Sequence, residues 1–201
     1  MIRLITLTSL LFFSLNCFSM WSRVFEKNGI RVYASGVNKG IIPFKAISIL
    51  DVDIDMLFEY IVDHKSKHKW SPKLKTVIVH EKLNDKEFIF SEYYKTPWPA
   101  TDREFLLHGR INRPSLDKFI LSASSVNRPD LMAKDHVQAD VRKILFIAEK
   151  INKNKSKVTF EFEGDLKGWL PTWLVNIIQK KWPYKFLYSL EKYSKRRIIK
   201  N

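Results

Sequence analysis

Hydrophobic and polar residues alternate along Ile30–Val37, where Ile30, Val32 and Ala34 are set against Arg31 and Tyr33. A period of two predicts a strand with one buried face. The same reading predicts strands over Ile41–Leu50, Lys75–Glu81, Glu87–Tyr94, Glu104–Ile111, Phe119–Val126, Val141–Ile151 and Lys157–Glu163. Asn84-Asp85, Asn112-Arg113-Pro114 and the lysine/asparagine run at 152–156 supply turns between them. The segment Trp21–Lys27 reads as a short helix ended by Asn28-Gly29, and His64–Lys69 as a polar loop.

Elsewhere the period changes to that of a helix. Met56, Leu57, Tyr60 and Ile61 fall at helical spacing, and one of Asp51, Asp53 and Asp55 is a natural N-cap before them. Trp169–Tyr193 reads as one long amphipathic helix. Leu174, Ile178, Trp182, Phe186 and Leu190 recur every four residues and share a face, which Val175 and Ile177 widen. Pro171 sits near the first turn, and Pro183 is expected to kink the helix. Strands, a short helix, an antiparallel meander and a long last helix make an α+β protein. A curved sheet crossed by one wide apolar helix either closes a dry core or leaves a cavity between the two.

Composition narrows the class. A chain of 201 residues with 45% hydrophobic residues supports one globular domain. Residues 1–19 carry Arg3, an apolar run from Leu4 to Leu15, and Cys17 and Ser19 at the −3 and −1 positions of a cleavage site. They read as a signal peptide, so the protein is expected to be exported, periplasmic or secreted, with residues 20–201 as its single domain. The lone cysteine rules out an internal disulfide and any zinc site built on several cysteines. Six glycines leave little material for phosphate-binding loops.

Few residues suggest chemistry. No G-x-S-x-G elbow is present, and no paired carboxylates are placed for acid/base work. His64 and His68 are four apart, but Lys65, Lys67 and Lys69 around them would repel a cation, so the segment is read as an exposed basic loop. Asp51, Asp53 and Asp55 lack the glycine of a calcium loop. The expectation is no metal, no cofactor and no catalytic group. The net charge of +14 points to an anionic partner surface or is simply solvated surface charge. Lys180, Lys181, Lys185, Lys192, Lys195, Arg196, Arg197 and Lys200 gather on or after the last helix, which suits an anionic membrane. No nucleic-acid recognition motif is present, so nucleic acid is not the expected partner.

Three stretches carry a family resemblance. They are His68-Lys69-Trp70-Ser71-Pro72 followed by Val77–Glu81, then Thr96-Pro97-Trp98-Pro99-Ala100-Thr101-Asp102-Arg103-Glu104-Phe105, then Gly168-Trp169-Leu170-Pro171-Thr172-Trp173-Leu174-Val175-Asn176. In order and spacing the chain resembles the START (steroidogenic acute regulatory protein-related lipid transfer) domain over essentially all of 21–195. The resemblance implies the helix-grip fold, with a hydrophobic tunnel under the last helix that holds one lipid or sterol without acting on it. It also implies a buried arginine six residues after Arg103, where this chain has Gly109, and an acidic partner on the preceding strand, where it has Phe90. Arg110 is one residue out of step and belongs to the other strand face unless a bulge at Gly109 turns it inward. A greasier tunnel is therefore expected.

The ligand-lining candidates are Trp70, Phe88, Phe90, Trp98, Arg103, Phe105 and Leu107 on the sheet side, and Leu174, Ile178, Trp182 and Phe186 on the helix. Trp70 and Trp98 would line the mouth or pack the core. Arg103 would meet a head group or pair with a carboxylate such as Asp102 or Glu104. The first expectation is a monomeric, non-enzymatic lipid-binding or lipid-transfer protein whose partners are a hydrophobic small molecule (phospholipid, fatty acid or sterol-like) and an anionic membrane. The second is an enzyme of cyclase or hydrolase type on the same scaffold, with Glu92, Tyr94 and His108 as its only candidates. The third is a basic adaptor with a collapsed cavity.

Overall fold

The computed structural model describes residues 21–198. The signal-like segment 1–19 lies outside them, as do the side chains from Arg197 onward. The chain opens with a hairpin of β1 (Ser22–Lys27) and β2 (Ile30–Ala34). The helix expected over Trp21–Lys27 is thus a strand. Asn28 and Gly29 both take positive φ, 51° and 72°, which is the turn that matches strand twist in a two-residue hairpin. That turn pairs the segment with β2, and pairing overrides its weak local helical pattern.

β3 (Ile41–Leu50) alternates as expected, with Ile42, Phe44, Ala46, Ser48 and Leu50 buried. Asp53 caps α1 (Ile54–Val62), its carboxylate accepting the Asp55 N–H at 2.8 Å. The meander follows as β4 (Leu74–Asn84), β5 (Glu87–Tyr94), β6 (Arg103–Ser115), β7 (Lys118–Ser125), the two-residue β8 (Val137–Gln138), β9 (Asp140–Asn152) and β10 (Lys155–Asp165). All pair antiparallel in one ten-stranded sheet of order β1-β2-β3-β10-β9-β7-β6-β5-β4, except β8, which pairs parallel with β6.

The last helix, α2 (Thr172–Ile198), begins three residues later than the sequence pattern suggests. Helical geometry is disfavoured just before a proline, and the Pro171 carbonyl instead accepts the N–H groups of Leu174 and Val175 at 2.9 and 3.2 Å. Pro183 lies inside the helix, which continues past it. α2 packs mainly on β1, β2 and β3 and touches α1. Its expected stripe faces inward: Leu174, Phe186 and Leu190 are buried, and Ile178 and Trp182 are partly so. Phe186 stacks on Phe160 with centroids 4.3 Å apart. This is an antiparallel sheet gripping a long C-terminal helix. No helix among the described residues is long and apolar enough to cross a membrane.

Candidate ligand-binding site

Because α2 rests on the β1–β3 end of the sheet, space remains between it and β5–β6. Two adjoining cavities fill that space. The outer has a volume of about 340 Å³, with Phe44, Phe105 and Phe162 from the sheet facing Leu170, Leu174 and Ile178. The inner is about 80 Å³, lined by Phe88, Phe90, Leu107, Phe146, Phe160 and Phe186 among others. Tyr94, Phe105 and Trp182 line both and form the partition. The sheet and helix residues expected at the ligand are thus brought together, save Trp70 and Trp98.

Those two depart for different reasons. Trp70 is buried in the core and lines neither cavity; its indole meets Phe186 edge-on at 5.2 Å. Trp98 lies in the loop between Pro97 and Pro99 and is 88% exposed. Its neighbours Thr96 and Pro97 line the outer cavity, so the loop rims the opening while the indole faces water.

Arg103 borders the outer cavity but spends its donors on backbone. Its Nε–H donates to the Leu166 carbonyl at 3.3 Å, one Nη to Thr101, and the other Nη to Lys167 at 2.9 Å and Trp169 at 3.2 Å. It is 3% exposed, and burial lowers its pKa below the ordinary guanidinium value. Among the described residues the expected carboxylate pair does not form. Arg103 ties the segment leading into α2 to the start of β6, because that segment's carbonyls are the acceptors within reach.

β5 and β6 pair without a register shift, so no bulge forms at Gly109. Arg110 keeps to the other strand face beside Glu87, 3.4 Å away, although it also borders the inner cavity. Gly109 faces inward, where the Phe90 ring lies over it; an added Cβ would sit 2.6 Å from Phe90 Cε1. The position that the family resemblance reserves for a charged pair is therefore filled by an aromatic ring against bare backbone.

Another polar group takes up the inner cavity. On β5 the inward parity runs Phe88, Phe90, Glu92, Tyr94. Glu92 is 2% exposed; Lys67 Nζ–H donates to its Oε1 and the Tyr94 hydroxyl to its Oε2 at 2.7 Å. Burial, and then Glu92, push the Tyr94 phenol well above its ordinary pKa. His64 borders the same cavity, its ring 5.1 Å from that of Phe90, with Nδ1 buried and unpartnered. Burial and then Lys67 lower the His64 pKa, outweighing Glu92 and Asp63. The exposed-loop reading of 64–69 thus holds for Lys65, His68 and Lys69 but not for His64 and Lys67, which turn inward under α2. A carboxylate in step with Phe88 and Phe90 was the signal: a buried charge needs a nearby cation, and the run at 65–69 is the source.

Of the three enzyme candidates, Glu92 and Tyr94 meet in the inner cavity. His108 is on the opposite strand face, paired with Glu87 at 2.9 Å. Glu104, also on that face, is fully buried. Burial pushes its carboxyl up, but hydrogen bonds from Ser91, Gln138, the Ala133 N–H and Tyr93 outweigh it and hold the pKa below the usual range. This network braces β8 against β5 and β6.

The opening of the outer cavity is cationic and aromatic. Lys73, Lys95, Lys181 and Lys185 line it, all exposed, and no Asp or Glu does. Trp169, Trp173 and Ile177, beside the lining residues Leu170, Leu174 and Ile178, are 64, 49 and 38% exposed. Farther along α2 the basic face is partly neutralised, since Lys195 pairs with Asp51 at 3.1 Å and Glu191 at 2.9 Å.

Residues 15–192 match the START domain. The chain belongs to this family. The open antiparallel sheet and long last helix are its helix-grip fold. Mouse phosphatidylcholine transfer protein is 22% identical over 178 residues, 86% of this chain and 82% of that protein. Human StAR-related lipid transfer protein 5 superposes with a TM-score of 0.80 at 17% identity, covering 88% of this chain and 86% of that one. A more distant START-like fold is the Zhui aromatase/cyclase from Streptomyces, with a TM-score of 0.56 at 6% identity over 79% of this chain and 96% of that one. Lipid binding is thus the business of the family, and this START domain keeps an apolar space between sheet and last helix.

Proposed function

We propose that this START domain carries one hydrophobic amphiphile between membranes and performs no chemistry on it. The observation that carries this reading is the pair of adjoining, largely apolar cavities, about 340 and 80 Å³, which share Tyr94, Phe105 and Trp182 as lining residues. Burying an acyl chain gains about 0.8 kcal/mol per methylene, so the walls alone hold a long chain. The carboxylate that an enzyme would need is engaged: both Glu92 oxygens accept hydrogen bonds, from Lys67 and Tyr94. The names of the mouse and human relatives, both lipid transfer proteins, support the same reading.

The protein works as a monomer outside the cytoplasm, in the periplasm or secreted, as its first 19 residues suggest. It docks on anionic membranes by the rim of the outer cavity. Exposed Trp98, Trp169 and Trp173 suit the membrane–water boundary, and Lys73, Lys95, Lys181 and Lys185 supply the opposite charge. The test is transfer of a fluorescent phosphatidylcholine or fatty acid from donor to acceptor vesicles, with and without phosphatidylglycerol. The native protein accelerates transfer, more so with the anionic lipid, and Trp98→Ala/Trp173→Ala weakens vesicle binding about tenfold or more. Transfer no faster than in buffer for either lipid would sink the proposal.

A further inference from the structure

We infer that the carried ligand is a single-chain amphiphile with an anionic head, seated tail-inward with its head held at the opening by Lys73, Lys95, Lys181 and Lys185. The inference rests on the carrier reading and adds orientation and charge to it. Two ends of the cavity system could take a polar head, and they differ in what they have left to give. At the inner end Lys67 and Glu92 neutralise each other, Tyr94 completes the carboxylate, and Arg110, which also lines that cavity, is paired with Glu87 at 3.4 Å. An anion placed there would face Glu92 at close range, in a space of about 80 Å³.

At the outer end the balance is reversed. Four lysines line the opening, no carboxylate does, and among the described residues none of the four takes part in a salt bridge. The nearest guanidinium, Arg103, is consumed by backbone carbonyls and does not compete for the head. The lysines stand between apolar walls and water, so one molecule can bury its tail against Phe44, Phe105, Phe162, Leu174 and Ile178 while its carboxylate or phosphate meets them. A long side chain with a mobile ammonium suits a head that must leave during transfer better than a rigid fork does. Volume sets the chain number: about 340 Å³ is near the lower end for ligand pockets, room for one chain rather than two.

The experiment uses the neutral dye N-phenyl-1-naphthylamine bound to the delipidated protein, displaced below micelle-forming concentrations by four amphiphiles with a common dodecyl tail. These are dodecanoate, dodecyl phosphate, dodecanol and dodecyltrimethylammonium, with no vesicles present. The anions displace the dye about tenfold more tightly than dodecanol at low salt, as expected for several exposed charge contacts, and the gap narrows as salt screens them. The cation is weakest. In the quadruple variant Lys73→Gln/Lys95→Gln/Lys181→Gln/Lys185→Gln the gap closes while dodecanol binds as before. Equal binding of dodecanol and dodecanoate to the native protein, or a gap that survives in the variant, overturns the inference and leaves the carrier reading standing. If the dye and all four amphiphiles fail to bind, the carrier reading itself falls.

Discussion

Replacing Arg103 with Met separates a latch from a ligand contact. The guanidinium reaches four carbonyls, and two of them, Leu166 and Thr101, belong to segments far apart in sequence. Met keeps the apolar stem and removes every donor. The Thr101, Lys167 and Trp169 residues are exposed and their carbonyls regain water, but Leu166 is 7% exposed and its carbonyl does not. A stranded buried acceptor costs about 1–3 kcal/mol, and loss of the remaining charge-assisted bonds brings the total to about 3 kcal/mol. For a domain of this size each kcal/mol shifts Tm by about 2–4 °C, so Arg103→Met melts roughly 6–12 °C below the native protein. Arg103→Lys retains the charge without the fork and falls between. The assay is thermal denaturation of both variants, with hydrogen exchange over 166–175, where the amides lose protection first. Anion-over-neutral preference in dye displacement stays as it was. An Arg103→Met protein that melts like the native one yet binds lipid tenfold more weakly would refute the latch and restore Arg103 to the head group.

Three further outcomes follow from the inner cavity. Lys67→Met leaves the Glu92 carboxylate buried with Tyr94 alone and costs about 3 kcal/mol, whereas Lys67→Met/Glu92→Gln recovers most of it; additive losses in a urea double-mutant cycle would mean the pair is not coupled. His64 has a folded pKa below its unfolded value of about 6.5, so its contribution to stability is complete above that pH and is lost as pH falls toward the folded value. His64→Phe therefore flattens the stability profile just below pH 6.5, measured by urea midpoints; parallel profiles would contradict the assignment. Gly109→Val drives the Phe90 ring, already 2.6 Å from the added Cβ, into the inner cavity. It weakens binding of hexadecanoate more than of dodecanoate, and an equal loss for both would show that the inner cavity takes no part of the chain.

Regular elements were legible where a buried face imposes a period. β3, β5 and the inward stripe of α2 follow directly from Ile42–Leu50, Phe88–Tyr94 and Leu174–Leu190, since each packs one face against the core. β1 was not, because six residues of marginal pattern take their form from pairing with β2 across Asn28-Gly29. In the site, the START resemblance pointed to the sheet face under the last helix, and strand parity then picked out its aromatic residues and put Arg110 on the other face. What parity cannot supply is the direction of a side chain in irregular backbone. Trp70 and Trp98 both flank prolines or polar turns, and one went to the core, the other to water. Arg103 shows the same limit: its acceptors are carbonyls, which every residue carries, so no sequence pattern marks them. His64 and Lys67 lie between α1 and β4, and the path of that segment under α2 decides which lysine meets Glu92.

The central claim is that sheet and helix hold one lipid. Its most direct test is native mass spectrometry of the protein purified from its own membranes, followed by extraction and identification of what it carries. The account predicts one anionic single-chain lipid per protein molecule. An unliganded mass that persists after incubation with mixed liposomes would contradict it.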